Sequence, residues 1–474
     1  MRDCENSAAP SARPGLWAGV TQQGTEALNA LRAVDAELDR RWPESRIEPS
    51  LTRIAALVDL LGSPQRSYPV LHIAGTNGKT SVAQLLDALL TRIGLRVGRY
   101  ISPHLQLVTE RISLDGAVIS PERFVAAHQD IAQYVDLVDA GSPVPMSKFE
   151  VLTAMAFATF ADAPVDAAVV EVGLGGSWDA TNVADATVAA ITPIAVDHVN
   201  FLGSDIAGIA AEKAGIIKPG CLAVLAEQPP EAARVIAARI VEVGATVARE
   251  GVEFGVLHRD IAVGGQQLRL QGLGGAYDEI FLPLHGEHQA RNAALALATA
   301  EAFFGAGASR SLDIDAVREG FAAVTVPGRL ERVGSAPSVF LDSAHNPHGA
   351  RALARALHAE LAFCRLVAVV GVLRGKDARG LLAELEPVVD EVVITASSSP
   401  RAMDVDELAA VAREVFGGQR LRVEPRLPEA IEVAVAMAAE VAPGADRVSG
   451  AGVVITGSVT TAGEARTLLG REPQ

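Results

Sequence analysis

The chain has little cysteine. Its 474 residues include only three cysteines, Cys4, Cys221 and Cys364, and these are not spaced as metal ligands. Isolated cysteines of this kind favour a reduced, intracellular protein over a disulfide-stabilised secreted one, so we expect a cytoplasmic location. The sequence also lacks an apolar run long enough to cross a bilayer, which argues against the membrane-spanning classes.

Positive charge is scarce as well. The 41 lysines and arginines face 57 acidic residues, which leaves a formal net charge of −16 at pH 7. This balance argues against a nucleic-acid binder and against a protein that binds anionic membranes. Small anionic substrates stay possible, because a local basic patch can hold them. The first residues are rich in Ser, Ala and Pro and have no apolar signal core, and we interpret residues 1–23 as a disordered tail.

The length and the hydrophobic content of 49% predict a large core divided between two or three domains. Strand-like apolar runs alternate with helical patterns up to about residue 215, which predicts a doubly wound parallel sheet. Short alternating runs with glycine turns predict a small antiparallel insertion at about 247–284. The βα pattern restarts after Pro327-Gly328, so we place two domains at 24–328 and 329–474.

One segment has the features of a phosphate-binding loop. It follows an apolar run that reads as a buried strand, precedes a helical pattern from Ser81, and consists of Gly75, Thr76, Asn77, Gly78, Lys79, Thr80 and Ser81. Backbone N–H groups at such a helix start hold phosphate, the lysine reaches the terminal phosphates, and a hydroxyl faces Mg²⁺. Ile73 occupies the usual first glycine position of the Walker pattern. The competing interpretation is an ordinary turn with a surface lysine, which Gly-Lys-Thr directly after a strand disfavours.

Three polar residues lie at or just past the ends of predicted parallel strands: Ser102, Glu171 and His198. Catalytic groups on such sheets collect at the carboxyl ends of the strands, so these side chains are expected beside the phosphate loop. Taken singly, each has a simpler interpretation as a turn-former, a hydrogen-bonded carboxylate or a satisfied histidine. The three together favour a metal site.

Eight motifs resemble the folylpolyglutamate synthase family in order and spacing, most closely its bifunctional bacterial members that are also dihydrofolate synthases. The Mur ligases are wider relatives. The resemblance covers residues 24–470. The motifs are Gly75-Thr76-Asn77-Gly78-Lys79-Thr80-Ser81, Ser102-Pro103-His104, Glu171-Val172-Gly173-Leu174-Gly175-Gly176, Asp197-His198, Glu212-Lys213-Ala214-Gly215-Ile216, His288-Gln289, Asn292-Ala293-Ala294 and Asp342-Ser343-Ala344-His345-Asn346-Pro347.

The resemblance implies a P-loop parallel-sheet ATPase domain followed by a smaller Rossmann-like α/β domain, the Mur ligase type of fold. It implies an ATP-dependent amide ligase of folate biosynthesis and one-carbon metabolism. Such an enzyme adds L-glutamate to dihydropteroate or to reduced folylpolyglutamates through an acyl phosphate, and releases ADP and phosphate. It also implies two Mg²⁺ ions, ATP as substrate, a monomer, and no nucleic-acid or membrane partner.

The resemblance also assigns roles to residues. Catalytic roles fall to Lys79, Lys213, Asp342 and His345. ATP is expected to contact the loop Gly75, Thr76, Asn77, Gly78, Lys79, Thr80 and Ser81 together with Asn292, Arg329 and Asp342. Magnesium is assigned to Ser102, Glu171, His198 and a carbamylated Lys213. The substrates are assigned to Phe149, Asp179, Asn182, His345 and Ser458. Without the resemblance, Lys213 reads as a helix-end cation.

One departure from the family bears on the substrate. The family usually has arginine after Gly175-Gly176, whereas this chain has Ser177. We expect the missing cation to weaken either the anchoring of this loop or its hold on an anionic substrate. Two rival functions stay open at this point: a Mur-type or other amino-acid ligase with a non-folate acceptor, and a nucleotide-binding switch or interaction protein. The second domain, with Asp342 and His345, argues against a simple switch.

Overall fold

The computed structural model describes residues 22–42, 48–305, 311–361, 363–440 and 450–473. Most of the tail predicted for residues 1–23 lies outside the described residues, and Gln22 already begins the first helix. No helix within the described ranges is both long and apolar enough to span a membrane.

The first part of the chain forms an eight-stranded sheet in the order β4-β3-β2-β5-β1-β6-β7-β8. Its strands are β1 Val70–Ala74, β2 Val97–Tyr100, β3 Ile112–Leu114, β4 Ala117–Val118, β5 Ala167–Glu171, β6 Ala186–Ile191, β7 Leu222–Leu225 and β8 Thr246–Arg249. Neighbours from β2 to β8 are parallel, whereas β3 and β4 extend the edge in antiparallel fashion. The predicted parallel sheet is therefore confirmed.

Ten helices accompany this part of the described chain and cover the sheet on both faces. They are α1 Gln22–Asp39, α2 Thr52–Leu60, α3 Lys79–Ile93, α4 Pro121–Gly141, α5 Lys148–Asp162, α6 Val199–Leu202, α7 Ile206–Ala214, α8 Pro230–Val243, α9 Glu287–Phe303 and α10 Ile314–Ala322. All five residues of β1 are buried, because helices pack on both sides of this central strand. Such burial explains why β1 reads as a continuous apolar run in the sequence.

A three-stranded antiparallel sheet follows, with β9 Gly255–Ala262, β10 Gly265–Gln271 and β11 Ala276–Leu282. The prediction that this insertion begins at about 247 was wrong. Val247 lies in β8 and pairs in parallel with Ala223 of β7. Because β8 is a short edge strand that is largely open to solvent, its alternating pattern resembles that of an antiparallel strand.

The third sheet contains β12 Glu331–Ser335, β13 Ser338–Leu341, β14 Arg365–Val370, β15 Glu391–Ala396, β16 Leu421–Arg426 and β17 Ala451–Thr456, in the order β12-β13-β17-β14-β15-β16. Its helices are α11 Pro347–Glu360, α12 Ala378–Leu385, α13 Val405–Phe416, α14 Leu427–Ala439 and α15 Val459–Leu468. Only β12 runs antiparallel to its neighbour. The second α/β domain is thus a parallel sheet with one antiparallel edge.

Strand register brings the site together. Ile73 pairs with Glu171, Ala74 with Ile191, and Tyr100 with Val170, so β1, β2, β5 and β6 end at the same edge of the sheet. The residues that follow these strands therefore meet in one place.

Candidate functional site

A cavity of about 1060 Å³ lies between the two α/β domains. The first domain contributes the phosphate loop and the segments that follow β2, β5 and β6. The second domain contributes the segment after β13 and one face along the length of α11. Both halves of the molecule are therefore needed to complete its walls.

The phosphate loop depends on its two glycines. Gly75 has φ +142° and Gly78 has φ +92°, values that favour glycine. A Cβ at Gly75 would lie 1.8 Å from the Thr192 hydroxyl oxygen, and one at Gly78 would lie 2.7 Å from Asn292 Oδ1. Lys79 is the first residue of α3, and its ammonium group donates to the carbonyl oxygens of Gly75 at 3.2 Å and Thr76 at 3.4 Å. The loop therefore curls around its own lysine at a helix N-terminus.

Glu171 contacts one of the other predicted strand-end residues, Ser102, and the phosphate-loop residue Thr80. The Thr80 hydroxyl donates to both of its carboxylate oxygens at 3.0 and 3.1 Å, and the Ser102 N–H donates at 3.3 Å. Burial raises the pKa of Glu171, and the charge of Lys79 and these hydrogen bonds oppose that rise. Oxygen donors next to a lysine are the chemistry of a site for Mg²⁺ and phosphate. Across the described ranges, no three His, Cys, Asp or Glu side chains form a metal cluster, so hydroxyl and phosphate oxygens would have to complete the coordination.

Asp197 joins the two domains. Its carboxylate lies 2.5 Å from Lys376 Nζ, 2.9 Å from Asn346 Nδ2 and 3.2 Å from His345 Nε2, all on the second domain. Burial opposes ionisation, but the contact with His345 and the charge of Lys376 together hold the pKa of Asp197 far below its usual range. The neighbouring His198, with φ +52°, also lines the cavity. Asp197, the carboxylate that contacts the second domain, is therefore adjacent in the chain to His198, a predicted metal ligand.

Lys213 is buried in the cavity wall at the end of α7. A Cβ at Gly176 would lie 2.3 Å from the carbonyl oxygen of Glu212 and 2.9 Å from Lys213 Cα. The glycine loop thus packs directly on this backbone and holds Lys213 in place. Burial, with the charge of Lys79, lowers the pKa of Lys213 to about 7. A substantial share of this side chain is therefore a neutral amine near pH 7.

The loop after β5, residues 173–182, forms another part of the wall. The Phe149 ring covers Gly173, where a Cβ would lie 2.5 Å from Phe149 Cζ. Asp179 lines the cavity, but its carboxylate accepts the N–H groups of Leu174 at 2.9 Å and Thr181 at 3.0 Å. The Asn182 amide donates to the carbonyl oxygen of Ser177 at 3.1 Å, and Asn182 is not among the residues that form the cavity wall. Both predicted substrate residues therefore hold the loop's shape.

Ser177 shows how this loop is anchored without the family's arginine. Its N–H and its hydroxyl both donate to the Glu212 carbonyl oxygen, at 2.9 and 3.2 Å. A Cβ at Gly215 would lie 2.0 Å from Ser177 Oγ, so the two segments touch closely. Hydrogen bonds from the backbone and the side chain of Ser177 to the Glu212 carbonyl oxygen therefore anchor this loop in a chain that lacks the family's arginine.

The predicted nucleotide residues come from both domains. Asn292 on α9 packs against Gly78, and its Nδ2 donates to Gln289 Oε1 at 3.0 Å. Arg329 and Asp342 belong to the segments that flank the first hairpin of the second domain, and both line the cavity. Asp342 accepts the N–H groups of Leu330 at 2.9 Å and Ala344 at 2.8 Å. Burial raises the pKa of Asp342, and the charge of Arg329 opposes that rise.

The two residues predicted to meet glutamate differ in position. His345 lines the cavity, with Nδ1 3.0 Å from the Ser343 carbonyl oxygen. Ser458 is buried, its hydroxyl accepts the Thr461 N–H at 3.0 Å as the cap of α15, and it does not form part of the wall. The structure thus brings one of the pair to the cavity.

The sequence reasoning gave Asp197 no role of its own and missed Lys376 altogether. It also missed the contact of Asn77 with Asn346 and His348, where the Asn77 amide nitrogen lies 3.3 Å from Asn346 Oδ1 and 2.9 Å from His348 Nδ1. The Asp-His pair was a visible signal for Asp197. The residues around Lys376 in the sequence form no motif that marks it as functional, because its partner Asp197 lies in the other domain.

Two protein-family models match the chain: the Mur ligase middle domain over residues 73–300, and the Mur ligase glutamate ligase domain over residues 328–459. The chain is 59% identical to the dihydrofolate synthase/folylpolyglutamate synthase of Mycobacterium tuberculosis, over 99% of both proteins. It is 35% identical to the Escherichia coli protein of the same name, over 76% of this chain and 81% of that one.

Solved structures agree with these matches. The M. tuberculosis folylpolyglutamate synthase complexed with ADP superposes with a TM-score of 0.91 over 94% of this chain and 100% of that one, at 59% identity. The E. coli FolC in complex with DHPP and ADP superposes with a TM-score of 0.80 over 94% of this chain and 98% of that one, at 30% identity.

Proposed function

Because the chain belongs to the dihydrofolate synthase/folylpolyglutamate synthase family of Mur ligases, we propose that it joins L-glutamate to dihydropteroate and to reduced folylpolyglutamates. The enzyme is an ATP-dependent ligase, and a Mur-type ligase with a non-folate acceptor is not favoured by its relatives. The observation that carries the proposal is the shared cavity, in which the phosphate loop and the 173–182 loop face His345 across the Asp197 contact. One chain builds this cavity, which supports a monomer as the working unit.

Lys79 and the loop amides perform the first step by electrostatics. ATP phosphorylates the acceptor carboxylate, and the amine of glutamate then attacks the acyl phosphate. Two anions must approach each other in the phosphoryl transfer, so positive charge where they meet lowers the barrier. Lys79 is positioned for this by the turn that Gly75 and Gly78 allow. Closure by the second domain keeps water from the acyl phosphate.

Magnesium fits the oxygen donors near the loop. The residues that would hold it are Thr80 or Ser81, Ser102 and Glu171. His198, which also lines the cavity, is a further candidate ligand. When bound, the ion neutralises phosphate charge and orients the transferred group. The buried Glu171 carboxylate, with hydroxyl and amide groups around it, supports this assignment.

Lys213 supports a second, finer proposal. Carbamylation adds CO2 to a neutral amine, which forms an N–C bond and releases one proton to solvent. Burial beside Lys79 favours the neutral amine by lowering the pKa of Lys213 to about 7. The product is an anion, which turns the repulsion between two lysines into an attraction. Its oxygens suit a second Mg²⁺ ion.

The test is a turnover assay with purified protein, ATP, labelled glutamate and, in separate reactions, dihydropteroate or tetrahydrofolate. We expect phosphate release only when glutamate and an acceptor are both present, with label in the product. Omission of each substrate is the control. Phosphate release that is independent of both would support the switch, and ligation to a non-folate acceptor alone would support the rival ligase.

A further inference from the structure

A buried histidine lies beneath the site and takes no part in the chemistry described above. His72 occupies the middle of β1, three positions before Gly75, and its side chain is fully buried. β1 lies between β5 and β6, where His72 pairs with Val170 on one side and Ala189 on the other. Its backbone is therefore fixed by two parallel ladders.

The ring of His72 holds a single hydrogen-bonded partner among the described residues. Nε2 lies 2.8 Å from the Thr181 hydroxyl oxygen, whereas Nδ1 is buried without a partner. Burial, together with the charge of Lys218, lowers the pKa of His72 to about 3. The ring is therefore neutral and carries one N–H.

Counting donors fixes the direction of these hydrogen bonds. Burial raises the pKa of Asp179, and the hydrogen bonds that it accepts from Leu174 and Thr181 oppose that rise. With Asp179 ionised, the Thr181 hydroxyl, which lies 2.5 Å from Asp179 Oδ1, donates its one hydrogen to this carboxylate. His72 Nε2 must then be the donor to Thr181, which leaves Nδ1 as the acceptor nitrogen. The direction therefore runs from β1 to Thr181 and on to Asp179, and we name these three residues the His72 relay.

The His72 relay ends at the loop that forms the cavity wall. The Asp179 carboxylate also accepts hydrogen bonds from the N–H groups of Leu174 and Thr181, and these bonds hold the two ends of the loop together. Leu174, Trp178 and Asp179 all line the cavity, and Phe149 covers Gly173 at the start of the loop. The strand that leads into the phosphate loop and the loop on the acceptor side are thereby connected by buried side-chain hydrogen bonds, in addition to the backbone pairing of β1 with β5.

We propose that His72 is a positioning residue for the acceptor: through Thr181 and Asp179 it holds the 173–182 loop against the strand that carries the phosphate loop. This inference rests on the proposed function, because it takes the loop as a wall of the acceptor site. Loss of the His72 relay leaves ATP bound normally, since the phosphate loop is held by its own glycines and by β1. Only the affinity for the acceptor then falls.

The first test compares two substitutions of one residue. Thr181→Val keeps the shape and removes the hydroxyl, whereas Thr181→Ser keeps the hydroxyl. We expect Thr181→Val to raise KM for the acceptor about tenfold, the effect of a lost buried hydrogen bond, with KM for ATP unchanged. Thr181→Ser should restore the wild-type KM. Equal changes in both KM values, or none, would overturn the inference.

A matched pair at His72 covers the case in which Thr181→Val does not fold. His72→Gln keeps an N–H donor at the ε position, and His72→Leu removes it. We expect the leucine variant to show the acceptor defect and the glutamine variant to show little of it. A glutamine variant as impaired as the leucine variant would contradict the donor role.

Hydrogen exchange gives a readout besides activity. In Thr181→Val the amides of residues 173–182 should exchange faster, while those of the phosphate loop should not. A loosened loop with an unchanged acceptor KM would refute the link between loop position and acceptor binding. Wild-type protein that shows no acceptor-dependent turnover would instead refute the proposed function, and the exchange experiment would still report on the His72 relay.

Discussion

Lys376→Met is the sharpest test of the domain interface. Lys376 Nζ lies 2.5 Å from Asp197 Oδ1, and both side chains are largely buried, with 12% and 7% of their surfaces exposed. The substitution keeps most of the volume and removes the cation. Asp197 then keeps Asn346 and His345 as partners but loses its shortest contact, so the docked arrangement of the two domains should weaken.

The magnitude follows from the distance. Two unit charges 2.5 Å apart attract by about 7 kcal/mol at an effective dielectric constant of about 20. The cost of removing both charges from water offsets much of this, and the remaining partners of Asp197 keep some stabilisation, so a net loss of about 2–4 kcal/mol is expected. A loss of about 2 kcal/mol would turn a docked-to-open ratio of about 99:1 into roughly 3:1.

Small-angle scattering measures the docked fraction, and turnover measures its consequence. Lys376→Met should increase the radius of gyration and lower kcat. Arg379→Met is the matched control, because the Arg379–Glu414 pair is exposed and lies within the second domain. An unchanged scattering curve and unchanged kcat for Lys376→Met would refute the role of this ion pair. The same change in both variants would show a general effect of lost charge.

Four further substitutions, at three residues, test the site itself. Lys79→Ala removes the cation from the phosphate loop, so turnover should fall by at least about 100-fold with the fold intact by circular dichroism; wild-type-like turnover would remove the loop from the mechanism. Ser177→Arg should leave KM for both ATP and the acceptor unchanged, because backbone contacts already anchor the loop; a lower acceptor KM would show that the missing cation matters. Lys213→Ala and Lys213→Arg should both lose turnover and keep ADP affinity by calorimetry, and added formate should partly rescue only the alanine variant. Full activity in Lys213→Arg would contradict the carbamate.

Local patterns predict the phosphate loop and its surroundings well. Gly75 and Gly78 stand where a tight turn requires them, and that requirement is visible in a few consecutive residues. Ser102 and Glu171 were expected together because parallel strands end at one edge, and the register of β1, β2 and β5 brings them together. The site on the first domain is therefore largely a consequence of strand order.

A sequence pattern does not choose between two uses of one side chain. Asp179 and Ser458 have the residue types that bind substrates, but both also favour local hydrogen bonds to nearby N–H groups. In the structure Asp179 closes its loop and Ser458 caps α15. Short polar side chains of this kind compete for backbone donors within a few residues, and the sequence alone does not show which use prevails.

Charge shows most clearly what a sequence does not reveal, because the net charge of a chain contains no information on where the charged side chains lie in the fold. The net charge of −16 leaves room for a local basic patch, and Lys79, Lys213 and Arg329 do line one cavity. Burial, with the charge of Lys79, lowers the pKa of Lys213. Asp197 offsets part of this positive charge, and three of its partners come from the second domain. The field that an anionic substrate meets is therefore set by docking of the domains, which no local stretch of sequence encodes.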